Sequence, residues 1–374
     1  MGTNLAEQRS LRNIGGTDWL KFMAALLVIA NHTSPLASIS PQADFLIAGL
    51  ISRVAVPIFF IGSGFFLFRK FVDNEAAPNR SIVIRYTNKI ALLYGFSILL
   101  YLPLNVYKGD FAKGFDFVAF LRDLLLDGTF YHLWFFPALW MGIWLIYFLS
   151  RLSSPVWAWV AATALYVFGL LGDSYYGFAT NMLHLKPIYG ALYSWMDYTR
   201  NGLFFAPLPI LAGAALARRN MSNSIPSRAV SFRLGLASII ALLLLIAEGE
   251  WLHSLNLPRH DSMYVFSIPA AFLLFLWSTT WNVHGSKRLR AWRTWVYILH
   301  PLAIVLVRGA AEVVKGEQLL IANSPVHYIA VCLLSIGLSA FAAAATSRIS
   351  KLILQTRTKK REEDSSSAPS QKLS

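Results

Sequence analysis

The sequence predicts an all-α integral membrane protein of about ten transmembrane helices, with both termini in the cytoplasm. Three observations predict it. Only 14% of the 374 residues are charged and 56% are hydrophobic, whereas a soluble domain carries about 25% charged residues. Apolar stretches of about 20 residues recur along the whole chain, the length a helix needs to cross a hydrocarbon layer about 30 Å thick. No water is present there, so each stretch must satisfy its own backbone, which favours helices, and continuous rather than alternating hydrophobicity argues against a membrane β-barrel. Lastly, the basic residues collect in alternate connecting segments, as expected for cytoplasmic loops.

The spans are expected near 18–37, 49–69, 86–104, 132–150, 155–172, 201–218, 232–251, 263–281, 292–313 and 326–346. Residues 1–17 form a cytoplasmic segment, 18–350 the membrane domain, and 351–374 a basic, Ser-rich, disordered cytoplasmic tail. With the N-terminus inside, the cytoplasmic segments hold most of the 33 basic residues. This placement accounts for the net charge of +14 without nucleic acid. Cys332 is the single cysteine and lies in an apolar run, which excludes disulfides and Cys-rich metal sites. No cleaved signal peptide is expected at the N-terminus. No internal repeat is visible, which lowers the expectation of a repeat-built transporter.

Ionisable residues inside spans are costly and mark candidate function. The first span carries Lys21 and His32. Eleven residues apart, they share one helix face and stand about 16 Å apart along the axis. Lys21 belongs to the cytoplasmic side and His32 to the outer half. Snorkelling by Lys21 and simple core packing of His32 are equally good explanations of this pair alone. The second span opens with Arg53, then Pro57 and the step Gly62-Ser63-Gly64, where small residues permit close approach. Arg80, Arg85 and Lys89 precede the third span; Arg85 and Lys89 share a helix face and suit a phosphorylated donor, although ordinary positive-inside topology explains them too. Residues 116–127 are amphipathic and too short to cross, so an interfacial helix on the outer face is expected. The fourth span begins Tyr131-His132-Leu133-Trp134, where an aromatic belt explains Trp134 but not His132. Arg200 enters the sixth span, and His260, Asp261 and Tyr264 the eighth.

Taken together these residues resemble the membrane-bound acyltransferase-3 family, whose members move acyl groups onto cell-surface glycans. The resemblance covers about 15–350 and rests on Asp18 to His32, on SRVAVPIFFIGSGFFLF (52–68), on YHLWFFPALW (131–140) and on YILHPL (297–302). The second and third stretches are similar to the O-acetyltransferase of enterobacterial common antigen. Two departures stand out. Lys21 occupies the position of a family arginine, and Arg85 with Lys89 replaces an Arg-x-x-Arg pair; lysine is not equivalent to arginine at a bidentate phosphate contact. The chain is also similar to the membrane half of vancomycin-resistance serine racemases, which is associated with serine transport, through RNGLFFAPLPILAG (200–213) and RHDSMYVFSIPAAF (259–272). No racemase domain is expected to follow.

The resemblance implies a multi-pass protein of the inner or plasma membrane that takes an acyl group from acetyl-CoA, or another acyl-CoA, to a hydroxyl of a glycan or lipid-linked glycan. It implies no bound cofactor, no metal and no nucleic-acid partner. His32 is then general base or acyl carrier, with Arg53 and His132 beside it in catalysis. Lys21, Arg85 and Lys89 contact the donor. Ser63, Trp134, Arg200, Asp261 and Tyr264 contact the substrate. The competing expectation is transport of serine or a similar amino acid, with Arg53 and Asp261 holding carboxylate and ammonium.

Overall fold

The computed structural model describes residues 15–71, 76–112, 114–152, 154–218 and 227–366. Every regular element among them is helical. Six helices are long and apolar enough to cross a membrane, and three apolar ones are shorter. The chain is a multi-pass membrane protein. It divides at Ser286 and Lys287 into two compact units.

The first unit opens with α1 (Gly15–Thr33). The second helical stretch, α2 (Pro41–Phe68), is continuous but not uniform. It widens to a π-helix over Phe45–Leu50, tightens to a 3-10 turn over Ile51–Val54, and is regular from Ala55 to Phe68. Pro57 supplies a cause: it has no N–H and its ring crowds the carbonyl four residues earlier, on Arg53. Next come α3 (Ala76–Lys108), the short α4 (Phe117–Arg122), α5 (Phe135–Leu152) and α6 (Pro155–Gly172). The side chain of Asp116 caps α4 through the N–H groups of Val118 and Ala119, and a π-turn over Asp123–Asp127 follows it. Phe117, Val118, Leu121 and Leu125 are exposed there, the apolar face of the amphipathic segment.

Two small helices, α7 (Tyr176–Asn181) and α8 (Lys186–Leu192), lead to α9 (Pro207–Arg218), α10 (Arg228–Ser254) and α11 (Ser267–Ser278). The closest packing is between α2 and α9. A Cβ at Gly64 would collide with the Ile210 carbonyl, and one at Gly213 with the Ile61 carbonyl. Two helix backbones therefore meet directly, the close approach that small residues permit in membranes.

α9 and α11 are each 12 residues long, shorter than the spans expected at 201–218 and 263–281. The missing turns have identifiable causes. The Asn201 side chain accepts the N–H groups of Leu203 and Phe204, and Pro207 then begins the helix at the position where its missing N–H is harmless. At α11 the Glu248 carboxylate accepts the N–H groups of Val265 and Phe266, just ahead of the first helical residue, Ser267. Irregular backbone in a membrane protein is tolerated where protein satisfies it.

The second unit contains α12 (Lys287–Val313), a π-turn (Gln318–Ala322) and α13 (Ser324–Ser366). Pro301 sits inside α12 and cannot bond the Tyr297 carbonyl; the buried His300 takes its place, donating from Nδ1 at 2.8 Å. α13 continues as helix to Ser366, where a disordered tail from 351 is expected. No Gly or Pro lies between Gly337 and Pro369, and Lys, Arg, Glu and Gln extend an existing helix at little cost. Residues 367–374 lie outside the described residues.

Candidate functional site

α1 carries its two candidate residues near opposite ends. Lys21 is buried at 4% exposure. Its ammonium stands 4.0 Å from the centroid of Phe66, and Gly62 leaves it room, since a Cβ there would lie 3.4 Å from Nζ. Ser63 is half-buried on the same helix as Gly62. Arg85 and Lys89 are both exposed on α3, whereas Lys21 is buried. A cleft of about 200 Å³ opens between the ends of α2, α5, α6 and α9, bordered by Phe68, Ser150, Trp159 and Arg218.

At the other end of α1, His32 is half-buried and its ring lies 4.8 Å from that of Tyr131. The neighbouring Asn31 accepts from the Ser52 hydroxyl at 3.5 Å, which ties this end of α1 to the irregular stretch of α2 that bears Arg53. His132 packs on the same Tyr131 ring, at 5.5 Å. It is 1% exposed and stands edge-on to Tyr101 at 5.0 Å and to Phe130 at 5.7 Å. Trp134, two residues on, faces Arg200 at 5.3 Å.

Arg53, Arg200, Asp261 and Tyr264 converge, and the convergence depends on turns. Arg53 Nε donates to the Gly49 carbonyl at 2.8 Å beside the change from π to 3-10 geometry. Arg200 lies over Tyr198 at 4.0 Å and donates from Nη1 to the Ser262 hydroxyl at 3.0 Å. Burial lowers the Arg200 pKa, partly countered by Tyr198 and Asp173, while Arg53 lies close enough to push it down further.

The loop before α11 is held by two carboxylates. Asp173, at 0% exposure, follows α6 and accepts the N–H groups of Ser262 and Met263 at 2.7 and 2.9 Å. Burial pushes its carboxyl up to about 7, against those two hydrogen bonds and the pull of Arg200 and Arg53. Glu248 on α10 accepts the N–H groups of Val265 and Phe266 and the Tyr175 hydroxyl, the last at 2.8 Å. Just before the first clamp, Asp261 meets His253 Nε2 at 2.6 Å and accepts from the Tyr264 hydroxyl at 3.1 Å. Tyr166 donates to the Tyr264 carbonyl at 2.7 Å. His260 meets the Tyr198 ring at a tilt, 4.5 Å between centroids; burial, then Arg200 and Arg259, lowers its pKa, which favours neutral imidazole.

Asp173, Glu248, His253 and Ser262 are the members that sequence reasoning missed. Asp173 and Glu248 are acids at or inside apolar segments and should have been flagged by cost alone. Ser262 carries no such signal.

A family model described as an acyltransferase domain matches residues 14–344. Three curated relatives are similar to the chain. Two proteins of Enterococcus faecalis, each named amino-acid racemase, are 34% identical over 89% of this chain and 45% of their own length, and 35% identical over 86% and 44%. A serine/alanine racemase of Enterococcus gallinarum is 33% identical over 86% of this chain and 45% of its own. The chain spans less than half the length of these relatives. No solved structure matches.

Proposed function

The chain belongs to the acyltransferase family that its residues 14–344 match, and on that premise we propose that it moves an acyl group from a cytoplasmic acyl-CoA, acetyl-CoA first among them, to a hydroxyl of a cell-surface glycan or its precursor. The observation that carries this reading is α1 itself. One helix holds a buried cation, Lys21, toward one end and a half-buried imidazole, His32, at the other. A donor bearing phosphates is served by the first and an acceptor hydroxyl by the second.

In this reading ten spans place both termini and the donor in the cytoplasm of a cell with an inner or plasma membrane. Lys21 meets the donor inside the protein, while Arg85 and Lys89 draw its phosphates from solution. The cleft at Arg218 offers the acyl-thioester arm a second apolar approach. Neutral His32 takes the acceptor proton, or carries the acyl group between the two substrates. The tetrahedral oxyanion needs positive charge or hydrogen-bond donors close by, and Arg53 supplies both; Ser63 and Trp134 line the path. The buried, ring-packed His132 fits a positioning role better than proton transfer. Arg200, Asp261 and Tyr264 hold the acceptor.

The test is His32→Ala in the full chain, reading free CoA thiol released from acetyl-CoA in the presence of membrane glycan. Loss of at least about a hundredfold in rate is expected, the range of general-base contributions. Wild-type release by correctly inserted protein defeats the role of His32.

One observation favours a second reading, transport of serine or a similar amino acid. Arg53 and Asp261 carry opposite charges within electrostatic reach of each other, and the relatives are named for amino-acid chemistry. Uptake of labelled serine into proteoliposomes above empty vesicles supports it; uptake equal to empty vesicles removes it.

A further inference from the structure

The charges around the 259–266 loop are unequally satisfied. Each carboxylate there is occupied by the protein: Asp173 and Glu248 by backbone N–H groups, Asp261 by His253 and Tyr264, and Asp127 by the N–H groups of Asp197 and Tyr198. The two guanidiniums are not matched in the same way. Among the described residues no carboxylate lies within 4.0 Å of Arg53 or Arg200. Arg53 has the Gly49 carbonyl. Arg200 has the Ser262 hydroxyl and two aromatic faces, while its buried Nε has no partner. Both side chains lie deep, yet neither is sealed from solvent, and a short chain of contacts links them: Phe45, one turn before the Gly49 that holds Arg53, meets His253 at 4.4 Å, and His253 bonds Asp261, the neighbour of the Ser262 that holds Arg200.

Two neighbouring cations without an ion-pair partner are costly in a water-poor site. A planar guanidinium fork matches a carboxylate with two parallel hydrogen bonds. The acidic neighbours set the charge that is tolerated. The two guanidiniums carry two positive charges and the neighbouring Asp261 carboxylate one negative charge, so a monoanion completes the balance, whereas a doubly charged phosphate adds one negative charge more than the arginines leave open.

We infer that Arg53 and Arg200 frame a carboxylate-recognition site, and that the acceptor is an acidic glycan unit whose carboxylate docks there. The word acceptor rests on the acyl-transfer reading; the recognition site does not. Tyr198 and Trp134 beside Arg200 hold its guanidinium plane in place, which reduces the entropy lost on binding.

The experiment uses the full chain in phosphatidylcholine nanodiscs at constant ionic strength, with three probes that differ only at carbon six of one sugar: D-glucose, D-glucuronate and D-glucose 6-phosphate. Calorimetric titration should show glucuronate binding at least about tenfold more tightly than glucose, and more tightly than the phosphate. Arg200→Gln and Arg53→Gln should each abolish most of that preference. Should Arg200→Gln fail to fold, Arg53→Gln carries the comparison, since its side chain bonds only the Gly49 carbonyl. Equal affinity for glucose and glucuronate, no binding of either, preference for the phosphate, or a preference that survives in the folded variants overturns the inference. Release of CoA thiol separates the two ideas. Tight, arginine-dependent glucuronate binding without release from acetyl-CoA supports this site and defeats the transfer reading. Release with glucose but not glucuronate does the reverse.

Discussion

Replacing Asp173 by alanine removes the acceptor from two buried N–H groups at once, those of Ser262 and Met263 at 2.7 and 2.9 Å. An unsatisfied buried donor costs about 1–3 kcal/mol, so Asp173→Ala should lose about 2–6 kcal/mol. Asp173→Asn keeps a side-chain carbonyl at the same place and should cost far less, about 1 kcal/mol. Charge separates the variants further. The folded carboxyl is raised from 3.8 to about 7 by burial, so between those values the folded state binds more protons than the unfolded one. The stability this group contributes is therefore complete below about pH 4 and is lost as pH rises through about 7. The shift corresponds to about 4 kcal/mol as an upper figure. Wild type should lose stability from pH 5 to 8 more steeply than Asp173→Asn, because asparagine does not titrate. The assay is urea denaturation of the full chain in detergent micelles at both pH values, read by tryptophan fluorescence. Equal midpoints for the alanine and asparagine variants, or the wild-type pH slope in the asparagine variant, would refute the reasoning.

Other predictions concern packing and hydrogen bonding. Gly213→Leu should prevent assembly of α2 on α9, because the Cβ meets the Ile61 carbonyl; a monodisperse gel-filtration peak at wild-type yield contradicts it. Tyr166→Phe should destabilise by about 1 kcal/mol, the usual net worth of a hydrogen bond, through loss of its 2.7 Å bond to the Tyr264 carbonyl; denaturant midpoints measure this. His253→Ala should cost under about 1 kcal/mol, because the side chains of His253 and Asp261 are 38% and 31% exposed and water screens such pairs. A loss several times larger would make that pair a buried structural link.

The contrast between two kinds of residue explains what was legible. Long apolar runs such as Arg228–Ser254 and Pro155–Gly172 announce themselves, because local composition alone decides whether a segment belongs in lipid. Arg53 and Arg200 were noticeable for the same reason, being charges where hydrocarbon is expected. The clamps were not legible. Asp173 bonds residues about 90 positions away, and no local pattern encodes such a partner. α9 and α11 are shorter than their apolar sequence suggests, because the Asn201 and Glu248 side chains hold the backbone in turns just ahead of each helix.

By itself the sequence determined a helical membrane protein, its family resemblance and the residue types available for chemistry, because hydrophobicity and charge act through composition and short-range spacing. Only the tertiary structure decided which of those residues meet. It set His132 among Tyr101, Phe130 and Tyr131 and Trp134 against Arg200, buried Lys21 while leaving Arg85 and Lys89 exposed, and brought Arg53, Arg200, Asp261 and Tyr264 near one another through the turns that bear them. The physical reason is that hydrogen bonds between distant segments, with the close approach of Gly64 and Gly213, set positions that no single segment specifies.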